Sequence, residues 1–139
     1  QQDYKQAVYW YKKAAEQDHL NSIFELAKLY IKGEGINKNN LKAFELLNEA
    51  AAQGHIFALD KLAYEYVLGE NVPQDYKKAA NLYRQLADRG QTYARYLLAG
   101  MYKDGQGVKK DREQAIKLYS KAAEDGHEKA IAALKAMNL

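Results

Sequence analysis

The sequence predicts an all-α chain: a solenoid of antiparallel helix pairs, about eight helices in all. Three observations carry that expectation. The chain repeats every 36 residues with no insertion or deletion, as in the series Ala7, Ala43, Ala79, Ala115 and Leu26, Leu62, Leu98, Leu134. A fixed period of that size marks one small unit stacked on copies of itself. Within each unit the apolar residues recur at steps of three or four, which lines up one face of a helix. Glycines punctuate the units in register, at Gly33, Gly69 and Gly105 and again at Gly54, Gly90 and Gly126.

Taken in order, residues 1–19 form a half unit holding one second-type helix, about Tyr4 to Gln17, with Asp3 before its first turn. Three full units follow, 20–55, 56–91 and 92–127. In the middle one a first-type helix is expected over Ile56–Leu68, where Ala58, Leu59, Leu62, Ala63 and Tyr66 share a face. Gly69 ends it, since glycine takes the left-handed conformation past a helix end without a Cβ clash. The link from Gly69 to Gln74 is short, so the second helix returns antiparallel. Asn71 stands where the other units have Gly35 and Gly107. Asn tolerates positive φ, so the same turn is expected there. Asp75, like Asp3, Asn39 and Asp111, offers an oxygen to the orphan N–H groups of the second helix. Ala79, Leu82, Tyr83, Leu86 and Ala87 line its buried side, and Gly90 ends it. Asp18 replaces that glycine in the half unit. Ala63, Ala79 and Ala87 fall where two helices cross closely and only small side chains fit. Residues 128–139 supply a terminal first-type helix, about Glu128 to Met137.

With 139 residues the chain has room for one domain with a substantial core. Cysteine is absent, which removes disulfides and thiolate metal sites. The net charge is only +3, with acids and bases interleaved. No basic stripe tracks a phosphate backbone, so nucleic acid is not an expected partner. No apolar run is long enough to span a membrane. His19, His55 and His127 are in register, but equivalent positions lie a helix spacing of about 8–10 Å apart, too far to share one zinc. They are expected in the tight links between units. Gly33-Glu34-Gly35 and Gly105-Gln106-Gly107 follow helices rather than strands and lack a following Lys-Ser/Thr, so they read as caps and not phosphate loops. Glu45 and Glu49 lie one turn apart, but no nucleophile accompanies them. No catalytic residue, cofactor or metal ligand is assigned.

The pattern resembles the Sel1-like repeat, a branch of the tetratricopeptide superfamily. Its best copy runs through Ala94, Leu98, Ala99, Tyr102, Gly105, Gly107, Val108, Asp111, Ala115, Leu118, Tyr119, Lys121, Ala122, Ala123 and Gly126. The half unit carries the Trp10-Tyr11-Lys12-Lys13-Ala14-Ala15 version. The resemblance covers the whole chain and implies a right-handed α/α superhelix, a bacterial source and a role in protein–protein interaction, as in adaptors. It determines no compartment. Some relatives touch cell-envelope and β-lactam chemistry, so a peptidoglycan-related ligand module is the alternative reading. Trp10 and Tyr11 would ordinarily pack on a preceding helix, which suggests repeats upstream of residue 1. Lys135, standing where Ala27, Ala63 and Ala99 meet a following helix, suggests a polar end cap near Leu139.

The tyrosines divide into two classes. Tyr11, Tyr83 and Tyr119, and Tyr30, Tyr66 and Tyr102, are in register and expected in the core. Phe24, Phe57, Tyr64, Tyr93 and Tyr96 lie outside the repeat pattern. By analogy with tetratricopeptide repeats, a concave groove is lined by the first helix of each unit. That maps onto Asn21, Phe24, Lys28, Ile31 and Lys32, then Phe57, Asp60, Tyr64, Val67 and Leu68, then Tyr93, Tyr96, Gly100, Lys103 and Asp104. The expected function is a protein- or peptide-binding scaffold, with the off-pattern aromatics as anchors and the charges fixing register.

Overall fold

The computed structural model describes residues 3–139, and among these it contains eight helices and no strand. They are α1 (Tyr4–Ala15), α2 (Leu20–Lys32), α3 (Asn40–Ala52), α4 (Ile56–Leu68), α5 (Tyr76–Asp88), α6 (Thr92–Asp104), α7 (Arg112–Glu124) and α8 (Glu128–Ala136). The first and last helices stop one or two residues before the ends expected for them. The architecture is an all-α solenoid of helix pairs.

The local chemistry accounts for these boundaries. Each second-type helix begins on an acceptor. Asp3 accepts from Gln6 N–H at 3.1 Å, Asn39 from Lys42 at 3.0 Å, Asp75 from Lys78 at 3.1 Å and Asp111 from Gln114 at 3.0 Å. α2, α4 and α6 end on left-handed Gly33, Gly69 and Gly105. Asp18 takes the left-handed conformation at φ 57°, as its place in the register requires.

The chain divides into two compact units. The first runs to Glu65 and takes in the link 69–73; there α2 packs against both α1 and α3. Its sealed core includes Ile23, Leu47, Leu59 and Leu62, and Ala27 and Ala43 are fully enclosed. The second holds residues 66–68 and 74–139, with α5 on α6, α6 on α7 and α7 on α8. Ala99, Ala115, Ala122 and Ala130 form a core cluster around Tyr119, with Leu118, Leu134 and Tyr102 packed on it. Small residues at these positions let the helix backbones approach, and the larger side chains fill the space beside them.

Two expectations need correction. Asn71 does not adopt the left-handed turn: Asp18 and Asn138 are the non-glycine residues with positive φ among those described. A Cβ at Gly35 or Gly107 would run into the backbone that begins the neighbouring helix, at Tyr4 or Tyr76. Asn71 instead donates from Nδ2 to Glu65 Oε2 at 2.8 Å. Glu65 is 3% exposed and stands where the other units have buried Leu29 and Met101; Lys61 Nζ lies 3.4 Å from its other oxygen. The middle unit thus replaces an apolar residue and a glycine with a hydrogen-bonded polar pair.

The second correction concerns the in-register tyrosines. Tyr83 and Tyr119 are buried, but Tyr11, Tyr30, Tyr66 and Tyr102 are only half-buried. Tyr102 Oη accepts from Arg84 at 2.6 Å, and Lys78 Nζ sits 5.3 Å from the Tyr66 ring centre. In α1, Trp10 is 62% exposed, whereas Leu46 at the same place in the next unit is buried.

Candidate functional site

The first helix of a unit begins without the acidic cap of the second. In α4 and α8 a histidine does that work. His55 Nδ1 accepts from Ala58 N–H, and His127 Nδ1 accepts from Ala130 N–H, both at 3.2 Å. His19, before α2, faces Ser22 Oγ at 2.8 Å instead. The link positions expected for the histidines are helix N-cap positions, and at His55 and His127 the side chain accepts from the N–H three positions on, as a side-chain N-cap requires.

In the first unit His55 also organises a surface. With Nδ1 accepting, the ring proton resides on Nε2, which donates to Asn21 Oδ1 at 2.7 Å. That bond ties the start of α4 to the start of α2. The imidazole lies 5.4 Å from the Phe24 ring and 5.9 Å from Phe57, and the two phenyl rings are 6.0 Å apart. Such separations are those of favourable aromatic pairs. Lys28 Nζ stands 4.9 Å from the Phe24 ring centre and 3.1 Å from Glu25. Asn21, Phe24, Lys28 and Phe57 are thus brought together as one face, and His55 joins them. The sequence register hinted at His55, but only the fold puts its second nitrogen on Asn21.

Farther along α4, Phe57 and Tyr64 are 64% and 51% exposed. Asp60 lies between them, half-buried, with no hydrogen bond or ion pair to any described residue. Val67 is half-buried in the last turn, its carbonyl accepting from Gln74 at 2.8 Å. Lys32 is exposed, 3.8 Å from Glu34. Ile31 does not line a surface; it is buried, because it faces the core of the helix pair.

In the second unit Tyr93 and Tyr96 are half-buried and Lys103 is exposed. Tyr96 stacks on His127 at 4.8 Å and on Tyr119 at 5.8 Å, so it is engaged with the core cluster rather than free. Gly100 leaves room beside the Tyr119 hydroxyl: a Cβ there would lie 3.6 Å from it. Burial, chiefly, holds the Tyr119 phenol above its ordinary pKa, with Tyr96 and Asp104 adding to the effect. Asp125, unremarked in the sequence, accepts from Thr92 at 3.1 Å and from Arg95 at 2.9 Å and so clips α6 to the end of α7.

Four consecutive segments, residues 1–19, 20–55, 56–91 and 92–127, match the family pattern described as Sel1 repeat. The chain belongs to the Sel1 repeat family. Its solved relatives agree. A Sel1 repeat protein from Oxalobacter formigenes is 34% identical with a TM-score of 0.78, the match covering 91% of this chain and 95% of that one. A protective antigen of uropathogenic Escherichia coli, described as displaying an SLR fold, is 33% identical with a TM-score of 0.79 over 88% of this chain. The matched region is only 26% of that antigen. Cysteine rich protein B of Helicobacter pylori is 27% identical with a TM-score of 0.66, covering 94% of each chain. Among curated proteins none matches. These relatives come from bacteria. The Sel1 fold is generally a non-catalytic scaffold and commonly serves protein interaction. Among the described residues no helix is long and apolar enough to cross a membrane.

The His55 cap makes stability depend on pH. Burial holds the imidazole below its ordinary pKa, and both of its nitrogens are used in the neutral form. Protonation would remove the lone pair that accepts from Ala58. A group whose folded pKa is depressed contributes fully above its unfolded pKa, about 6.5 for histidine. That contribution falls as pH drops below this value toward the folded pKa. His55→Asn keeps a cap acceptor and cannot titrate. Melting curves from pH 7.5 to pH 5 should therefore show the unaltered chain losing stability relative to His55→Asn only in the acid half. A constant difference across the range would refute the linkage.

Proposed function

We propose that this Sel1 repeat chain is a non-catalytic scaffold that binds a protein or peptide segment on its first-type helices. The observation that carries the reading is the aromatic face of the first unit, where Phe57 and Tyr64 stand open beside Phe24. Exposed large aromatics rimmed by charge have the composition of interface anchors, which combine much apolar area with few rotatable bonds. Asn21, Lys28, Lys32 and Asp60 supply the polar rim. Val67, Tyr93, Tyr96 and Lys103, all of the second unit, are further candidates in their own right. A role without catalysis is supported by the surroundings of Glu45 and Glu49. Both are exposed on α3, and the Glu45 carboxylate lies 3.8 Å from Lys42 rather than beside a nucleophile.

The test is capture of partners by crosslinking in the native host, followed by binding and melting measurements on one set of variants. Phe57→Ala and Tyr64→Ala should each weaken binding by more than about 1 kcal/mol. Tyr64→Ala should leave the melting temperature nearly unchanged, because the residue is 51% exposed and outside the buried core. Tyr96→Ala should lower it, because Tyr96 packs on Tyr119 and His127. Full binding by a folded Phe57, Tyr64 double variant would overturn the assignment of this face.

A further inference from the structure

We infer that the α4 face of the first unit selects a partner segment through an arginine side chain held by Asp60 between Phe57 and Tyr64. The inference rests on the reading of that face as a binding surface and adds the chemistry of what it binds.

Phe57, Asp60 and Tyr64 stand at i, i+3 and i+7, so they share one side of the helix. At 1.5 Å per residue the backbone of Asp60 is about 4.5 Å along the axis from that of Phe57 and about 6 Å from that of Tyr64. A cation on Asp60 is therefore flanked by an aromatic position one turn before it and another one turn after it, the arrangement in which cation and ring can meet. Asp60 is half-buried, and its carboxylate has no hydrogen bond or ion pair with any described residue. The neighbouring base, Lys61, is committed to the buried Glu65.

The repeat register sharpens the contrast. Position 60 corresponds to Phe24 and Tyr96, and position 64 to Lys28 and Gly100. In α2 the pair is an aromatic followed by a cation, and Lys28 covers the Phe24 ring from within the chain. In α4 the pair is a carboxylate followed by an aromatic. The same face therefore supplies rings and negative charge but lacks the cation. A guanidinium suits this gap better than an ammonium. It is planar, pairs with a carboxylate through two N–H groups, stacks on aromatic faces and is less strongly hydrated.

The test is selection of a displayed random twelve-residue peptide library on the full chain. Arginine should be enriched over lysine in the selected pool. Asp60→Asn should weaken the selected peptides roughly fivefold, as loss of one partly exposed ion pair and its cation–π support implies. Replacing their arginine with citrulline, a neutral isostere, should do the same. Asp88→Asn, an exposed carboxylate on α5, should not, which separates local pairing from general charge. The melting temperature of Asp60→Asn should be unchanged, since the Asp60 side chain has no hydrogen bond or ion pair with any described residue. A pool without arginine that still depends on Phe57 would overturn the arginine inference and leave the binding face standing. A pool indifferent to Phe57 and Tyr64, or no selected peptide at all, would overturn both.

Discussion

Gly107→Ala should destabilise the chain by about 2–5 kcal/mol, the sum of a left-handed alanine and an overpacked contact. Gly107 has φ 72°, and a Cβ on it would strike the carbonyl of Tyr76 and come within 2.7 Å of Lys77 N. Those atoms belong to the first turn of α5 and have no rotamer to change. Relief requires the link after α6 to move away from α5. Gly90→Ala is the internal comparison. Its φ is 86°, but nothing lies within 4 Å of the added carbon, so it should cost only about 1 kcal/mol, from backbone conformation alone. Urea unfolding of the two variants separates steric from conformational cost. Equal losses would mean that the link does not touch α5 as described.

The second large effect is expected at Ala99. This residue is fully enclosed in the cluster with Ala115, Ala122 and Ala130. Ala99→Leu should cost about 1–3 kcal/mol, because three extra carbons must push apart helices already in contact. Lys117→Leu, on the exposed side of α7, should stay within about 0.5 kcal/mol of the unaltered chain. The same urea experiment reads both. Comparable losses at the two sites would contradict the packing of α6 on α7.

The candidate site was only partly legible in the sequence. Phe24, Phe57, Tyr64, Tyr93 and Tyr96 all depart from the repeat, and on that criterion they are equivalent. Packing makes them unequal. Tyr96 is flanked by Tyr119 and His127, supplied by α7 and by the cap of α8. Tyr64 has no such neighbours and is half-exposed. Phe24 and Phe57 become a pair only because Asn21 and His55, 34 residues apart, join the starts of α2 and α4. Glu65 and Asn71 carry the same lesson. A turn read one residue at a time allowed Asn71 a left-handed backbone, whereas the folded chain keeps its φ out of that region and bonds its side chain to Glu65.

Helix ends and their order are readable from the chain because their causes are short-range. A cap acceptor serves an N–H three residues on, and a glycine ends the helix it directly follows. The 36-residue register then multiplies each local signal, so the all-α repeat architecture follows from spacing, and the family from the residues that recur at it. Exposure is different. Whether an aromatic becomes an anchor or a core residue depends on atoms delivered by the next repeat, at distances in sequence where spacing carries no information about contact. The engagement of Tyr96 with Tyr119 and His127, the exposure of Tyr64 and the unpaired carboxylate of Asp60 are consequences of packing, and they exist only in the folded chain.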